Sequence, residues 1–269
     1  LLESYDAERD RSAPTIRLYG WGRPTVSLGS RQAASRAHDP FYLRKHGIGL
    51  VRRPTGGAAI LHEYERTYSV VGRLRSESFP GGVLDTYRRI ALALWESLRA
   101  LGLQEVDVHP SGARGGSPTG PPSCFDRASA HEIAIGGRKL VGSAQCRRRN
   151  AFLQHGSILF RADPDRLGGA LGAKVDRSRF VDLERLLGRH PDPREIDRAL
   201  VAGFRRSFGV TLEPRGLSAD EVELATRLRC WKYESSSWTL EGRIGPEQMR
   251  WGPTLRPSDR TAGGASVPE

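Results

Sequence analysis

Arg52-Arg53-Pro54-Thr55-Gly56-Gly57-Ala58-Ala59-Ile60-Leu61-His62 is the stretch on which the reading of this chain turns. An apolar run, residues 48–53, ends in two arginines and a proline and empties into paired glycines. Glycine backbone amides can approach an anionic or carbonyl oxygen closely, and Arg52 and Arg53 stand beside them. Taken alone, the stretch reads equally well as an ordinary glycine turn with solvated arginines. Its neighbours continue the strand pattern. Residues 67–71 form a further apolar run downstream. Upstream, residues 15–20 and 25–29 carry Ile16/Leu18 and Val26/Leu28 at period two. Trp21-Gly22-Arg23-Pro24 breaks that alternation, as two strands around a turn would.

Farther along, Tyr87, Ile90, Leu94, Leu98 and Leu101 recur every three or four residues up to Gly102, which predicts an amphipathic helix that serves the core. Residues 109–123 hold eleven Gly, Pro or Ser in fifteen positions and predict a mobile loop. Gly136-Gly137 between residues 131–135 and 138–145 is a two-residue hairpin signal, and residues 152–160 make another strand. Asp192-Pro193-Arg194-Glu195 resembles a capping box with proline at the first helical position, ahead of Ile196, Leu200, Phe204, Phe208 and Gly209. Ser218-Ala219-Asp220-Glu221 opens a last helix the same way. Strands in mixed order with helices between and after them predict an α+β fold, with largely antiparallel mixed sheets flanked by helices. One catalytic domain is expected over residues 1–240. A disordered tail is expected over 241–269, because only Leu255 and Val267 are aliphatic from Gly252 onward. Leu1 to Ala7 read as the end of a helix already under way, so a short N-terminal piece is expected to be missing.

The chain has 269 residues, 38% of them hydrophobic and 27% charged, which is compatible with a buried core and excludes collagen-like or wholly disordered chains. No apolar run approaches the ~18–20 residues of a membrane span. The first ten residues show neither the basic nor the apolar region of a secretory signal, so an intracellular, cytoplasmic protein is expected. The net charge is +11, carried almost wholly by arginine, since Lys45, Lys139, Lys174 and Lys232 are the only lysines. Such a charge attracts anionic partners: nucleic acid, an acidic protein or phosphate esters. Cys124, Cys146 and Cys230 lack zinc spacing and are odd in number, which predicts reduced thiols and no metal site.

Two further segments carry reactive residues. In Ser123-Cys124-Phe125-Asp126, with His131 nearby in sequence, Cys124 reads either as a nucleophile at the mouth of a site or as a small buried hydrophobe. In Gly137-Arg138-Lys139-Leu140-Val141-Gly142-Ser143-Ala144-Gln145, a lone lysine lies beside small residues that would let a ligand rest on the backbone. Lys139 reads equally as a solvent-facing strand residue, and Cys146-Arg147-Arg148-Arg149 as a solvated basic turn.

These segments, with Leu153-Gln154-His155-Gly156, resemble in order and register the lipoate-protein ligase/octanoyltransferase family, over about residues 15–233. The resemblance implies a biotin/lipoyl-ligase-like catalytic domain. Ser123-Cys124-Phe125-Asp126 is most similar to the LipM-type octanoyltransferases, which implies Cys124 as acyl acceptor and Lys139 as the essential lysine. It also implies a substrate site built from Arg53, Thr55, Gly56, Gly57, His62, Gly142, Ser143, Ala144, His155 and Gly156. The implied reaction moves an octanoyl group from octanoyl-acyl carrier protein, through a cysteine thioester, to a lysine of a lipoyl domain or a glycine-cleavage H protein. It needs no cofactor. The alternative is an ATP-dependent lipoate-protein ligase, which would require ATP and Mg. Ala58 departs from the motif's third glycine, and His131 from a frequent tyrosine. Acidic carrier proteins fit the positive charge and leave nucleic acid unnecessary as a partner.

Overall fold

The computed structural model describes residues 1–7, 13–104, 106–108 and 133–245. Cys124, His131, the glycine- and proline-rich segment 109–123 and the chain from 246 onward lie outside the described residues. The elements run α1 (Leu2–Ala7), β1 (Thr15–Tyr19), β2 (Thr25–Leu28), α2 (Pro40–Lys45), β3 (Gly49–Arg52), β4 (Ile60–His62), β5 (Glu65–Arg73), α3 (Val83–Ala100), β6 (Val106–Val108), β7 (Ile133–Ile135), β8 (Arg138–Arg147), β9 (Ala151–Leu159), α4 (Pro164–Leu171), α5 (Leu183–Leu187), α6 (Pro193–Phe208) and α7 (Ala219–Leu228). Two π-helical turns, Arg229–Tyr233 and Ser237–Glu241, follow α7. No helix among the described residues is long and apolar enough to cross a membrane.

The strands form two sheets. The larger is antiparallel, in the order β1-β5-β9-β8-β7-β6, and the smaller runs β3-β2-β4, with β2 parallel to β3 and antiparallel to β4. The α+β expectation therefore holds. The strands around Trp21-Gly22-Arg23-Pro24 are present but do not pair with each other: β1 pairs with β5, whereas β2 joins the small sheet. The connection is claimed by other elements. Pro24 O accepts from Gly49 N at 2.9 Å, and the Trp21 indole N–H donates to Thr67 Oγ1 at 3.0 Å.

Alternation along the large sheet separates two faces. Tyr68, Gly156 and Ser143 lie side by side in register, and Tyr68 faces the main core with Ile90, Leu94 and Leu98 of α3 and Leu200 and Phe204 of α6. One residue along, Ser69, His155 and Ala144 form the next row and face the opposite way, toward the small sheet. The hairpin at Gly136-Gly137 forms as predicted, with φ of 56° and 71°. The α7 start is a full capping box between Ser218 and Glu221. At α6, Asp192 accepts from Arg194 N, but Glu195 does not return the bond because Arg189 holds it at 2.7 Å. The basic run after Cys146 is a solvated turn only at Arg149, which is exposed in the bend that follows β8. Cys146 and Arg147 belong to β8, Arg147 donates to Thr86 Oγ1 at 3.0 Å, and Arg148 pairs with Glu3 at 3.0 Å.

Candidate active site

Arg52 and Arg53 are both buried, at 2% and 7% exposure, which removes the solvated-arginine reading. Successive residues leaving β3 point in opposite directions, so the two guanidinium groups organise different regions. Arg53 bends back over its own loop. Its Nη1 donates to Ser27 O at 2.8 Å and Ser27 Oγ at 3.2 Å, and its Nη2 donates to Gly56 O at 2.8 Å and Ala58 O at 2.7 Å. Charge-assisted bonds of this kind contribute about 1.5–3 kcal/mol each. Because a trans peptide carries its N–H opposite its carbonyl, turning Gly56 O toward Arg53 turns the Gly57 N–H away from it. Gly57 is exposed at φ 92°, and its N–H has no acceptor among the described residues. Its carbonyl lies so near Gly29 that a Cβ there would meet it at 1.9 Å.

Thr55, wholly buried, anchors the loop to the large sheet through a 2.7 Å bond between its hydroxyl and His155 Nε2. Burial, then the nearby positive Arg53, pushes the His155 imidazole down to about 3. The ring is therefore neutral at physiological pH and far too weak a base to take a proton there. His62 is held on both nitrogens. Nε2 lies 2.7 Å from Ser27 Oγ and Nδ1 lies 2.8 Å from Glu65 Oε1, while Trp21 stacks on the ring at 4.0 Å. Glu65 Oε1 also accepts from Thr67 at 2.6 Å and Ser157 at 2.8 Å.

Lys139 is 5% exposed, so it is not a solvent-facing residue. Its carbonyl accepts from Val181 N at 3.0 Å, which packs the chain beside Phe180 against β8. Farther along β8, Ala144 is in register with His155, the residue that Thr55 grips. Ser143 and Gly156 sit in the other row: Tyr68 OH reaches Ser143 Oγ at 2.7 Å across Gly156, where a Cβ would meet the Tyr68 ring at 2.6 Å. Of the site residues read from sequence, Arg53, Thr55, Gly56, Gly57 and His155 thus come together, with Ala144 beside His155. His62 lies behind them, and Gly142 pairs with Ser157 one step along the same face. Ser143 and Gly156 contribute through the helix-facing packing.

Sequence reasoning missed Ser27, Glu65, Thr67 and Ser157. An acidic residue three positions after His62, at the head of a strand, was the available signal. It also missed what Arg52 does. Arg52 Nε donates to Trp238 O at 2.9 Å and Thr239 O at 3.0 Å, Nη1 to Gly29 O and Gln32 O at 2.7 Å each, and Nη2 to Leu240 O at 3.1 Å. Trp238 Nε1 returns a bond to Arg52 O at 2.9 Å. Beside this clasp the Lys232 ammonium rests 4.0 Å over the Trp238 ring, and burial, with Arg148 second, lowers its pKa. Burial raises the Cys146 thiol. Among the described residues no cluster of three or more His, Cys, Asp or Glu is placed to hold a metal.

Comparison with known proteins adds a lineage to this geometry. The family model described as the lipoyl protein ligase A/B catalytic domain matches residues 1–205. The octanoyltransferase LipM of Kyrpidia tusciae is 41% identical over 243 residues, covering 86% of this chain and 88% of its own. That of Symbiobacterium thermophilum is 40% identical over 247 residues, again with 86% and 88% covered. A crystal structure of lipoate-protein ligase A bound with ATP superposes with a TM-score of 0.74 at 26% identity, covering 89% of this chain and 90% of that one.

Proposed function

The chain belongs to the lipoyl protein ligase A/B catalytic-domain family, and from that membership we propose that it is an octanoyltransferase of protein lipoylation. Its donor is octanoyl-acyl carrier protein and its acceptor a lysine of a lipoyl domain or of a glycine-cleavage H protein. The observation that carries this reading is the ~40% identity, along most of both chains, to proteins named octanoyltransferase LipM.

Chemically, the Cys124 thiolate attacks the donor's thioester carbonyl. The Cys124 S–C bond forms, the donor's thiolate leaves, and the proton that Cys124 gave up ends on that thiol. The acceptor amine then attacks the octanoyl-Cys124 carbonyl, an amide forms and Cys124 is released. A thioester exchanged for a thioester is nearly balanced in free energy, so this route needs no ATP and no metal. At an unperturbed pKa near 8.5 only about 3% of a thiol is ionised at pH 7, so a cation beside it speeds the first step. Lys139 is the residue we assign to that task and to the proton of the incoming amine. The outward Gly57 N–H suits the developing oxyanion. His155, held neutral, serves as a wall of the acyl site and not as a base. An octanoyl tail gains roughly 0.8 kcal/mol for each methylene it buries, so a closed apolar site selects for length. This chemistry takes place in the cytoplasm.

The likeness to an ATP-bound lipoate-protein ligase favours a second reading, in which acceptor modification requires ATP, Mg and free lipoate or octanoate. Both are separated by incubating wild type and Lys139→Ala with octanoyl-carrier protein and a lipoyl-domain acceptor, with no ATP. The transferase reading predicts acceptor octanoylation by wild type and its loss in a Lys139→Ala protein that still melts cooperatively. An active, folded Lys139→Ala variant would end the role assigned to that lysine, and acceptor modification that appears only with ATP would favour the ligase.

A further inference from the structure

Behind the glycine loop lies a chain of buried polar groups that ends on Arg53, the residue that shapes the loop. Its members are Glu65, His62, Ser27 and Arg53, all buried. The proton positions follow from the partners. Glu65 Oε1 already accepts the hydroxyls of Thr67 and Ser157, so His62 Nδ1 donates to it at 2.8 Å. With that proton on Nδ1, Nε2 is the accepting nitrogen, and Ser27 Oγ donates to it at 2.7 Å. That spends the one proton of Ser27 and leaves its oxygen to accept from Arg53 Nη1 at 3.2 Å, beside the bond from the same nitrogen to Ser27 O at 2.8 Å. Each group donates in one direction only, from Arg53 toward Glu65.

We infer that Ser27, His62 and Glu65 are positioning residues that fix the rotamer of Arg53 and, through it, the carbonyls of Gly56 and Ala58 and the outward amide of Gly57. The inference rests on the reading above, in which that amide serves acyl transfer. A buried network kept only for stability would be indifferent to which end of it is cut, provided the fold survives. A relay is not. Truncation at the Ser27 side removes one acceptor of Arg53 and loosens its rotamer against the remaining carbonyls, whereas conservative replacement that keeps an acceptor for Ser27 leaves the whole set in place.

The imidazole can be replaced one nitrogen at a time. The amide of asparagine falls near Nδ1 and keeps the bond to Glu65, and that of glutamine falls near Nε2 and keeps the bond to Ser27. Two readouts should be taken on Ser27→Ala, His62→Asn and His62→Gln: the kcat and donor KM of octanoyl transfer, and amide hydrogen exchange of the segment 53–61. In Ser27→Ala and His62→Asn, exchange of the segment should quicken and kcat should fall about tenfold, with KM within about twofold. In His62→Gln both should return to within about threefold of wild type. The relay is wrong if the two His62 variants behave alike while folded, or if kcat falls with the segment's exchange unchanged. Should wild type show no octanoyl transfer at all, the proposed reaction fails, and the ranking of exchange rates still decides the relay by itself.

Discussion

Arg52 and Arg53 are neighbours in sequence, equally buried and both saturated with carbonyl oxygens, yet they govern regions of opposite character. Arg53 gathers Ser27, Gly56 and Ala58, a loop closed largely on itself. Arg52 gathers Trp238, Thr239 and Leu240, across more than 180 residues of sequence, onto Gly29 and Gln32. The first shapes a surface that must present an amide in one direction. The second seals the end of the described chain against the back of that same loop. A planar guanidinium suits both tasks, since its donors lie in a rigid fork that a lysine ammonium cannot reproduce. What differs is the cost of removal: cutting the local set deforms the site, and cutting the distant set releases a segment.

The largest effect is expected for Arg53→Met. It leaves the carbonyls of Ser27, Gly56 and Ala58, the first buried and the others partly so, without the guanidinium donor, at up to about 1–3 kcal/mol for each one left unpaired. Transfer should fall at least about a hundredfold, the scale of losing an oxyanion donor, and denaturant titration should show lost stability. Arg53→Lys should recover only a fraction of either. Arg52→Met should cost a comparable amount of stability but only a few-fold in transfer. Limited proteolysis should then cut first within residues 229–245, which in wild type should resist. Equal activity losses in the two methionine variants would erase the distinction between the regions.

The smallest effect concerns pH. His155 is anchored to the loop by Thr55, and its folded-state pKa, about 3, lies below the unfolded value near 6.5. Between those values the unfolded chain binds the extra proton, so stability rises with pH through that window and is level above it with respect to this group. Melting temperatures of wild type should therefore drop as pH falls from about 6.5 toward 3, and His155→Gln should lessen that slope. An unchanged slope would show that His155 is not held neutral by its surroundings.

Much of this architecture was open to sequence reading because it rests on local rules. The α3 stripe, the Ser218 capping box and the Gly136-Gly137 hairpin each depend on residues within a few positions of one another. The motif residues Arg53, Thr55, Gly56, Gly57 and His155 were legible as a group through the family resemblance. Whatever depended on distant partners was not. Nothing near Arg52 announces that Trp238 and Leu240 will receive its guanidinium. The period-two pattern of β1 and β2 finds strands but cannot say that they join different sheets. The burial of Glu65 beneath His62 needs Ser157 from β9, distant in sequence, beside Thr67 of its own strand. Cys124, the residue on which the chemistry most depends, was singled out by sequence and lies outside the described residues.

That cysteine is also where the account is most directly tested. Purified protein should be mixed with octanoyl-carrier protein without ATP, its intact mass recorded, and the modified peptide mapped before and after hydroxylamine. One octanoyl group should appear on Cys124, labile to hydroxylamine as a thioester is. It should be absent from Cys124→Ser and retained in Cys146→Ser, whose native thiol burial holds protonated. A wild-type protein that forms no adduct, yet modifies a lipoyl domain once ATP and free octanoate are supplied, would contradict the transferase account.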